Sequence, residues 1–140
     1  MADIRFETGV VSYNINGVCE VFFNPTDSAF VKRLFDAFEY LDKKQEAYRD
    51  EASKVGDHKQ IFELSAKWDK DMREIMDGVF HAPVCEAVFG DMNVYAYANG
   101  LPVWCNLMLA VIEEIDTTFA REQKATNARI KKYTQKYQNR

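Results

Sequence analysis

The chain has 140 residues, of which 47% are hydrophobic, 14% aromatic and 29% charged, with a formal net charge of −4, and a chain of this size fills one core without covalent staples. No apolar run approaches the ~20 residues of a membrane span, and the start Met1-Ala2-Asp3-Ile4-Arg5 lacks the basic and apolar regions of a signal peptide. Three widely spaced cysteines, Cys19, Cys85 and Cys105, are not a disulfide framework and suit a reducing cytoplasm; integral-membrane, collagen, coiled-coil-rod and disulfide-scaffold classes are disfavoured.

From the N-terminus, residues 5–23 read as a β-hairpin. Arg5 to Ile15 is rich in β-branched and aromatic residues, and Asn16-Gly17 is the strongest short hairpin signal, since a type I′ turn needs positive φ at both central positions. A two-residue turn pairs Ile15 with Val18, Tyr13 with Glu20 and Val11 with Phe22. Gly9 marks either a bulge or the true start of pairing. Asn24-Pro25-Thr26-Asp27 stops the strand, and Thr26 or Asp27 caps the helix that follows. That helix carries Phe30, Leu34, Phe38, Leu41, Tyr48 and Ala52 at the amphipathic period, widened by Val31 and Phe35, and ends at Gly56. Asp57-His58-Lys59-Gln60 starts a second helix with a capping-box pattern. Its stripe is Ile61, Leu64, Trp68, Met72, Ile75, Met76 and Val79. The short connection makes the pair an antiparallel αα-hairpin.

Pro83 suits the first position of a third, short helix that closes at Gly90. Residues 91–100 fit either a third strand or a packed loop through Val94, Tyr95 and Tyr97, with a turn at Asn99-Gly100. From Leu101-Pro102 a long helix follows, with Trp104, Leu107, Met108, Val111, Ile112, Ile115 and Phe119 on a wide apolar face. The reading is α+β: an N-terminal β-hairpin, then a mainly helical domain with an αα-hairpin and a long C-terminal helix. Residues 1–140 form a single domain, with the hairpin at 5–23, a helical core at 27–120 and a basic helical tail at 121–140.

The charge is unevenly placed. Residues 1–120 hold 11 Lys/Arg against 21 Asp/Glu, a balance of −10, whereas residues 121–140 hold seven bases and one acid, a balance of +6. Such a tail implies an acidic or nucleic-acid partner, docking onto the acidic body, or simply a solvated helix end with cations near its negative dipole terminus.

Nothing in the sequence carries catalysis. His58 and His81 lack a partner at metal-ligand spacing, phosphate-loop and nucleophile-elbow motifs are missing, and Cys85 and Cys105 lie in apolar stretches as structural thiols. Asp69, Asp71, Glu74 and Asp77 around Lys70 and Arg73, and Glu113, Glu114 and Asp116 further on, read as solvated helix faces with i,i+4 pairs such as Asp69–Arg73. No metal and no cofactor is expected. Ten Phe, seven Tyr, two Trp and five Met exceed what an ordinary core needs. The excess suits an adaptable apolar surface. Phe35, Phe62, Met92 and Met108, at the margin of the stripes, are the candidate partner-binding residues. Tyr133 and Tyr137, interleaved with bases in Ile130-Lys131-Lys132-Tyr133-Thr134-Gln135-Lys136-Tyr137, are further candidates.

Three segments carry a resemblance. They are Phe23-Asn24-Pro25-Thr26-Asp27 leading into Phe30-Val31-Lys32-Arg33-Leu34; Met72 to Phe80 followed by Cys85-Glu86-Ala87-Val88-Phe89-Gly90-Asp91; and Asn99-Gly100-Leu101-Pro102-Val103-Trp104 with the ending Lys132 to Tyr137. Together they resemble small tail assembly chaperones of phages and prophages of Gram-positive bacteria. The resemblance implies a non-enzymatic helper in the host cytoplasm that coats the apolar helices of a tape measure protein, or of another tail protein, until tube subunits replace it. It brings no catalytic residues. Self-association is left open, no membrane is involved, and nucleic acid is a lesser expectation. The alternatives are a structural virion component, minor tail or head–tail, and a small nucleic-acid-binding regulator using the basic tail.

Overall fold

The structure, a computed structural model, describes residues 1–138, without the side chains of 126–131 and 133–138. In chain order the elements are β1 (Val11–Ile15), β2 (Cys19–Phe23), α1 (Ser28–Ser53), α2 (His58–Phe80), α3 (Val84–Phe89), β3 (Tyr97–Ala98), β4 (Leu101–Pro102) and α4 (Val103–Gln138). This is the α+β arrangement expected: an N-terminal antiparallel hairpin, then a helical region ending in a long helix.

The first hairpin is shorter than expected and its register differs by one residue. Asn16 and Gly17 do adopt positive φ, 52° and 75°, and the Val18 amide donates to the Ile15 carbonyl at 3.1 Å. Val18, however, is an extra loop residue, so Ile15 pairs with Cys19, Tyr13 with Val21 and Val11 with Phe23. The hydrophobic pattern decides this. A one-residue slip exchanges the two faces of a strand; the observed register buries Val21 and Phe23 beside Tyr13 and turns Glu20 and Phe22 to solvent. Residues 5–10 form no strand. With Val11 opposite Phe23, a longer ladder would run onto Asn24 and Pro25, and proline has no amide to donate.

The hairpin is held by a column of rings. Tyr13 stacks on Phe23 at 4.6 Å and Phe23 on Phe30 of α1 at 4.2 Å. Phe80, at the end of α2, tilts against both Phe23 and Phe30. Ring pairs of this kind add roughly 0.5–1.5 kcal/mol beyond their burial.

Asp27, rather than Thr26, caps α1, accepting from the Ala29 amide, and Asp57 caps α2 through the Lys59 amide. Helix α1 stops at Ser53 with Lys54 as its right-handed cap, so Gly56 is not the terminating residue. The α1–α2 pair is antiparallel: Arg33 Nε donates to the Val79 carbonyl at 2.9 Å at one end, and Trp68 Nε1 to Glu51 Oε2 at 3.2 Å at the other. Trp68 is only half-buried, roofed by the Lys44 ammonium 4.9 Å from its ring. Pro83 sits one position before α3, at its cap. The 91–100 segment is mostly packed loop, with a two-residue β3–β4 ladder turning at Asn99-Gly100.

Helix α4 buries Trp104, Met108, Val111, Ile115 and Thr118. The steps alternate four and three, which keeps Thr118 on the stripe and carries Phe119 off it to 47% exposure, contrary to its expected inward position. Residues 119–125 are exposed on the continuing helix, and the helical backbone runs on to Gln138. One cluster of buried side chains joins the hairpin to all four helices.

The register has a direct test. Val21→Ala should lower the stability to urea unfolding by about 1–3 kcal/mol and Leu34→Ala by about 2–5 kcal/mol, whereas Phe22→Ala should change it by less than about 1 kcal/mol. The reverse order for Val21 and Phe22 would restore the two-residue-turn register.

Candidate functional site: an apolar groove along the long helix

Two carboxylates of α2, Asp69 and Asp77, do structural work. Arg73 Nε binds Asp69 Oδ2 at 3.0 Å, and both side chains are largely shielded, at 18% and 19% exposure. The same guanidinium donates to the carbonyls of Gly90 at 2.7 Å and Met92 at 2.6 Å. Asp69 Oδ1 accepts from the Val94 amide at 2.8 Å. Further along, Asp77 Oδ1 accepts from the Cys85 amide at 2.9 Å. This supplies the α3 cap that Pro83 has no side-chain donor or acceptor to provide. The expectation of a solvated face is corrected at Asp69, Arg73 and Asp77, while Glu74, Glu113 and Asp116 are exposed as expected: the i,i+4 pair exists, but it points at the 90–94 loop and clamps it. A carboxylate so used is not free for acid–base work.

Loop 93–96 then starts α4. The carbonyls of Ala96 and Val94 accept from the first α4 amides, Val103 at 2.7 Å and Trp104 at 3.2 Å. The Trp104 indole donates to Gln45 Oε1 on α1 at 2.7 Å, and its ring lies 5.7 Å from Phe38. These bonds tie the start of α4 to α1 and to the clamped loop, and so fix the height at which its apolar stripe is seated.

What faces outward is a groove. Between the hairpin tip, α3 and α4 lies a cleft of about 360 Å³, walled by Val88, Phe89, Met92, Val103 and Leu107. Asn16 and Asn106 are its only polar lining side chains among the described residues. A second cleft of about 220 Å³ continues along α4 beneath β1, between Tyr13, Ile15 and Phe23 on one side and Leu107, Val111 and Glu114 on the other. The two share Ile15, Asn16, Leu107 and Ala110, and among the described residues no Lys or Arg lines either. Size and lining suit an apolar ligand group held by shape, with little directional bonding.

Of the candidate partner-binding residues, the structure puts one on this groove. Met92 lines it and is 51% exposed. Phe35 and Phe62 are exposed, but on α1 and α2 towards opposite ends of the αα-hairpin, so the three do not form one patch. Met108 is fully buried in the core and is withdrawn as a partner-binding residue. It falls four residues after Trp104 and three before Val111, on the buried stripe. Tyr133 and Tyr137 have side chains outside the described residues. Val88, Phe89, Val103 and Leu107 were missed as groove walls. Their composition is that of ordinary core, and only the incomplete coverage of α4 by the hairpin leaves them accessible.

His58 opens α2 and His81 closes it in a left-handed cap with φ 54°. Among the described residues no group of three or more His, Cys, Asp or Glu is placed to hold a metal ion, and no helix is long and apolar enough to cross a membrane. All three cysteines are free. Burial pushes the Cys85 thiol far above its ordinary range, and Asp77 beside it adds to the effect. Burial likewise raises the Cys105 thiol, with a contribution from Asp42. Tyr95, stacked on Tyr48 at 4.7 Å, has its phenol raised by burial and then by Tyr48 and the Asp69 and Asp71 carboxylates. Near Glu114, the buried hydroxyls of Tyr13 and Thr118 face one another without a well-formed hydrogen bond. No known protein family, curated protein or solved structure matches this chain.

Two measurements check this account. Arg73→Met should cost about 2–3 kcal/mol, because it leaves the Asp69 carboxylate and two loop carbonyls short of a partner; a loss under about 0.5 kcal/mol would mean the clamp is dispensable. In thiol titration of the native protein at neutral pH, Cys85 should react only after denaturant is added, while Cys19 and Cys105 react first. Because the folded-state pKa is raised, the thiol's contribution to stability is fully present below the unfolded value of ~8.5 and is lost as pH rises above it. Three thiols reacting at one native rate would contradict the packing.

Proposed function

We propose that this chain is a non-enzymatic assembly helper that shields the apolar helices of a phage tape measure protein, or of another tail protein, before the tail tube closes over them. The observation that carries the reading is the groove along α4, an open apolar channel flanked by Met92 and Phe89 and nearly devoid of polar side chains. Helix-in-groove recognition needs such a channel, and methionine and aromatic walls accept more than one packing of the incoming side chains. The three segments that resemble tail assembly chaperones supply the identity of the partner and the cytoplasm of the host as the place of action.

The test is co-expression with the tape measure protein encoded in the same genome. The helper should raise the soluble fraction of that protein and co-purify with it. Met92→Asp should weaken the pull-down at least ten-fold while leaving the melting temperature within about 2 °C, since the Met92 side chain is exposed and only its carbonyl is used by Arg73. No gain in solubility and no co-purification would overturn the chaperone reading. Stoichiometric copies in mature particles, seen by mass spectrometry, would favour a structural virion component instead.

A further inference from the structure

Residues 3–7 carry a strand pattern that no strand uses. Asp3-Ile4-Arg5-Phe6-Glu7 alternates charged and apolar residues, the period of a half-buried strand. Yet Ile4 is 91% and Phe6 79% exposed. The segment is an arm with a sheet-forming sequence and no sheet.

A matching vacancy lies on the same molecule. β2 is the only strand paired with β1. β2 packs towards α2 and α3, while β1 borders the 220 Å³ cleft. The consecutive residues Tyr13, Asn14, Ile15 and Asn16 all line that cleft, so it is the edge of β1, as well as one face, that opens onto it. Leu107, Ala110 and Val111 form the far wall. Unpaired strand edges are templates for another strand. A strand added here with Ile4 and Phe6 on the side of Val11, Tyr13 and Ile15 would send both apolar side chains into the cleft. Asp3, Arg5 and Glu7 would then lie on the solvent side with Ser12 and Asn14. There Arg5 would approach Glu20, the carboxylate to which Ser12 donates and which pairs across from Asn14.

The base of the chain's own arm is tied to Asn24, just beyond β2. Asn24 Nδ2 donates to the Thr8 carbonyl at 2.8 Å. The Asn24 amide also packs 2.6 Å from where a Cβ on Gly9 would stand, with Gly9 at φ +76°. Folding residues 3–7 back along their own β1 requires a reversal within Thr8–Val10, which breaks that clamp. A second copy meets no such constraint. We propose that this protein forms a two-fold dimer in which residues 3–7 of each copy add as an antiparallel strand to the β1 edge of the other, with Ile4 and Phe6 filling the cleft beneath β1. Exchange of an identical element is self-complementary, so each dimer gains the contact twice. The proposal does not rest on the tape-measure reading: the clefts share Ile15, Asn16, Leu107 and Ala110, but Ile4 and Phe6 lie outside both, so the arm variant tests the dimer alone.

The experiment is sedimentation equilibrium on the full chain, paired with cross-linking. The wild type should dimerise reversibly. Ile4→Glu combined with Phe6→Glu should raise the dissociation constant at least ten-fold with unchanged circular dichroism, since both side chains are solvent-exposed in the single chain. Ala110→Arg, which blocks the cleft from an exposed position on α4, should do the same with the arm intact. A photo-reactive phenylalanine analogue at position 6, in a mixture of ¹⁴N- and ¹⁵N-labelled chains, should link to the 107–114 stretch of the other isotope. A monomer at all concentrations, a dimer indifferent to the Ile4/Phe6 change, or cross-links confined to one isotope (an arm folded back on its own chain) would each overturn the proposal. Should Ala110→Arg fail to fold, the arm variant and the cross-link decide it alone.

Discussion

The Arg73 guanidinium is the polar joint on which the placement of the helices turns. It lies on α2, binds Asp69 one turn earlier and reaches the carbonyls of Gly90 and Met92. Asp69 continues the chain of bonds to the Val94 amide, the Val94 carbonyl to the Trp104 amide, and the Trp104 indole to Gln45 on α1. Three helices and a loop are thus connected through part-buried bonds of Asp69 and Trp104 and through the two more exposed bonds from Arg73 to the loop carbonyls. Hydrophobic burial drives the same elements together but is non-directional. The apolar period chooses which face of α4 is buried, and the bonded chain fixes the height at which that face is seated.

The groove follows from that choice. α4 is covered on one side by α1 and partly roofed by a hairpin of only two five-residue strands. The aromatic column from Tyr13 through Phe23 to Phe30 anchors this roof at the α1–α2 end. The opposite edge of the roof, β1, is left beside α4 with no strand next to it. Val88 and Phe89 are therefore core in composition but only half-buried, while the buried Leu107 and Val111 form the floor of the groove. The molecule offers an apolar channel and an open sheet edge side by side.

Much of the architecture was legible in the sequence because it depends on local chemistry. Asp27 and Asp57 announce helix starts through side-chain oxygens that reach an amide two residues on. Asn16-Gly17 and Asn99-Gly100 announce turns because their φ values are positive and few other residues tolerate that. The stripes of α1, α2 and α4 announce buried faces by their period. The candidate site was less legible. Met92 lines the groove, but Met108, with the same chemistry, is core, and Phe35 and Phe62 are separated by the length of the αα-hairpin. Residue type marks the capacity to bind an apolar partner, while only packing decides which side chains remain uncovered.

The sequence by itself determined the fold class, the order of the main helices, the turns at Asn16-Gly17 and Asn99-Gly100 and the Asp57 cap, because each is set by interactions within a few residues along the chain. The tertiary structure alone decided the hairpin register, the inward turn of the Asp69–Arg73 pair and the groove. The register moved by one residue because burying Val21 and Phe23 against Phe30 and Phe80 outweighs the simplest turn length, and those partners are distant in sequence. The ion pair turned inward because the loop carbonyls it satisfies come from 17 and 19 residues away. The groove exists because two short strands cannot cover a long helix, a mismatch of dimensions that becomes visible only when the elements are placed against one another.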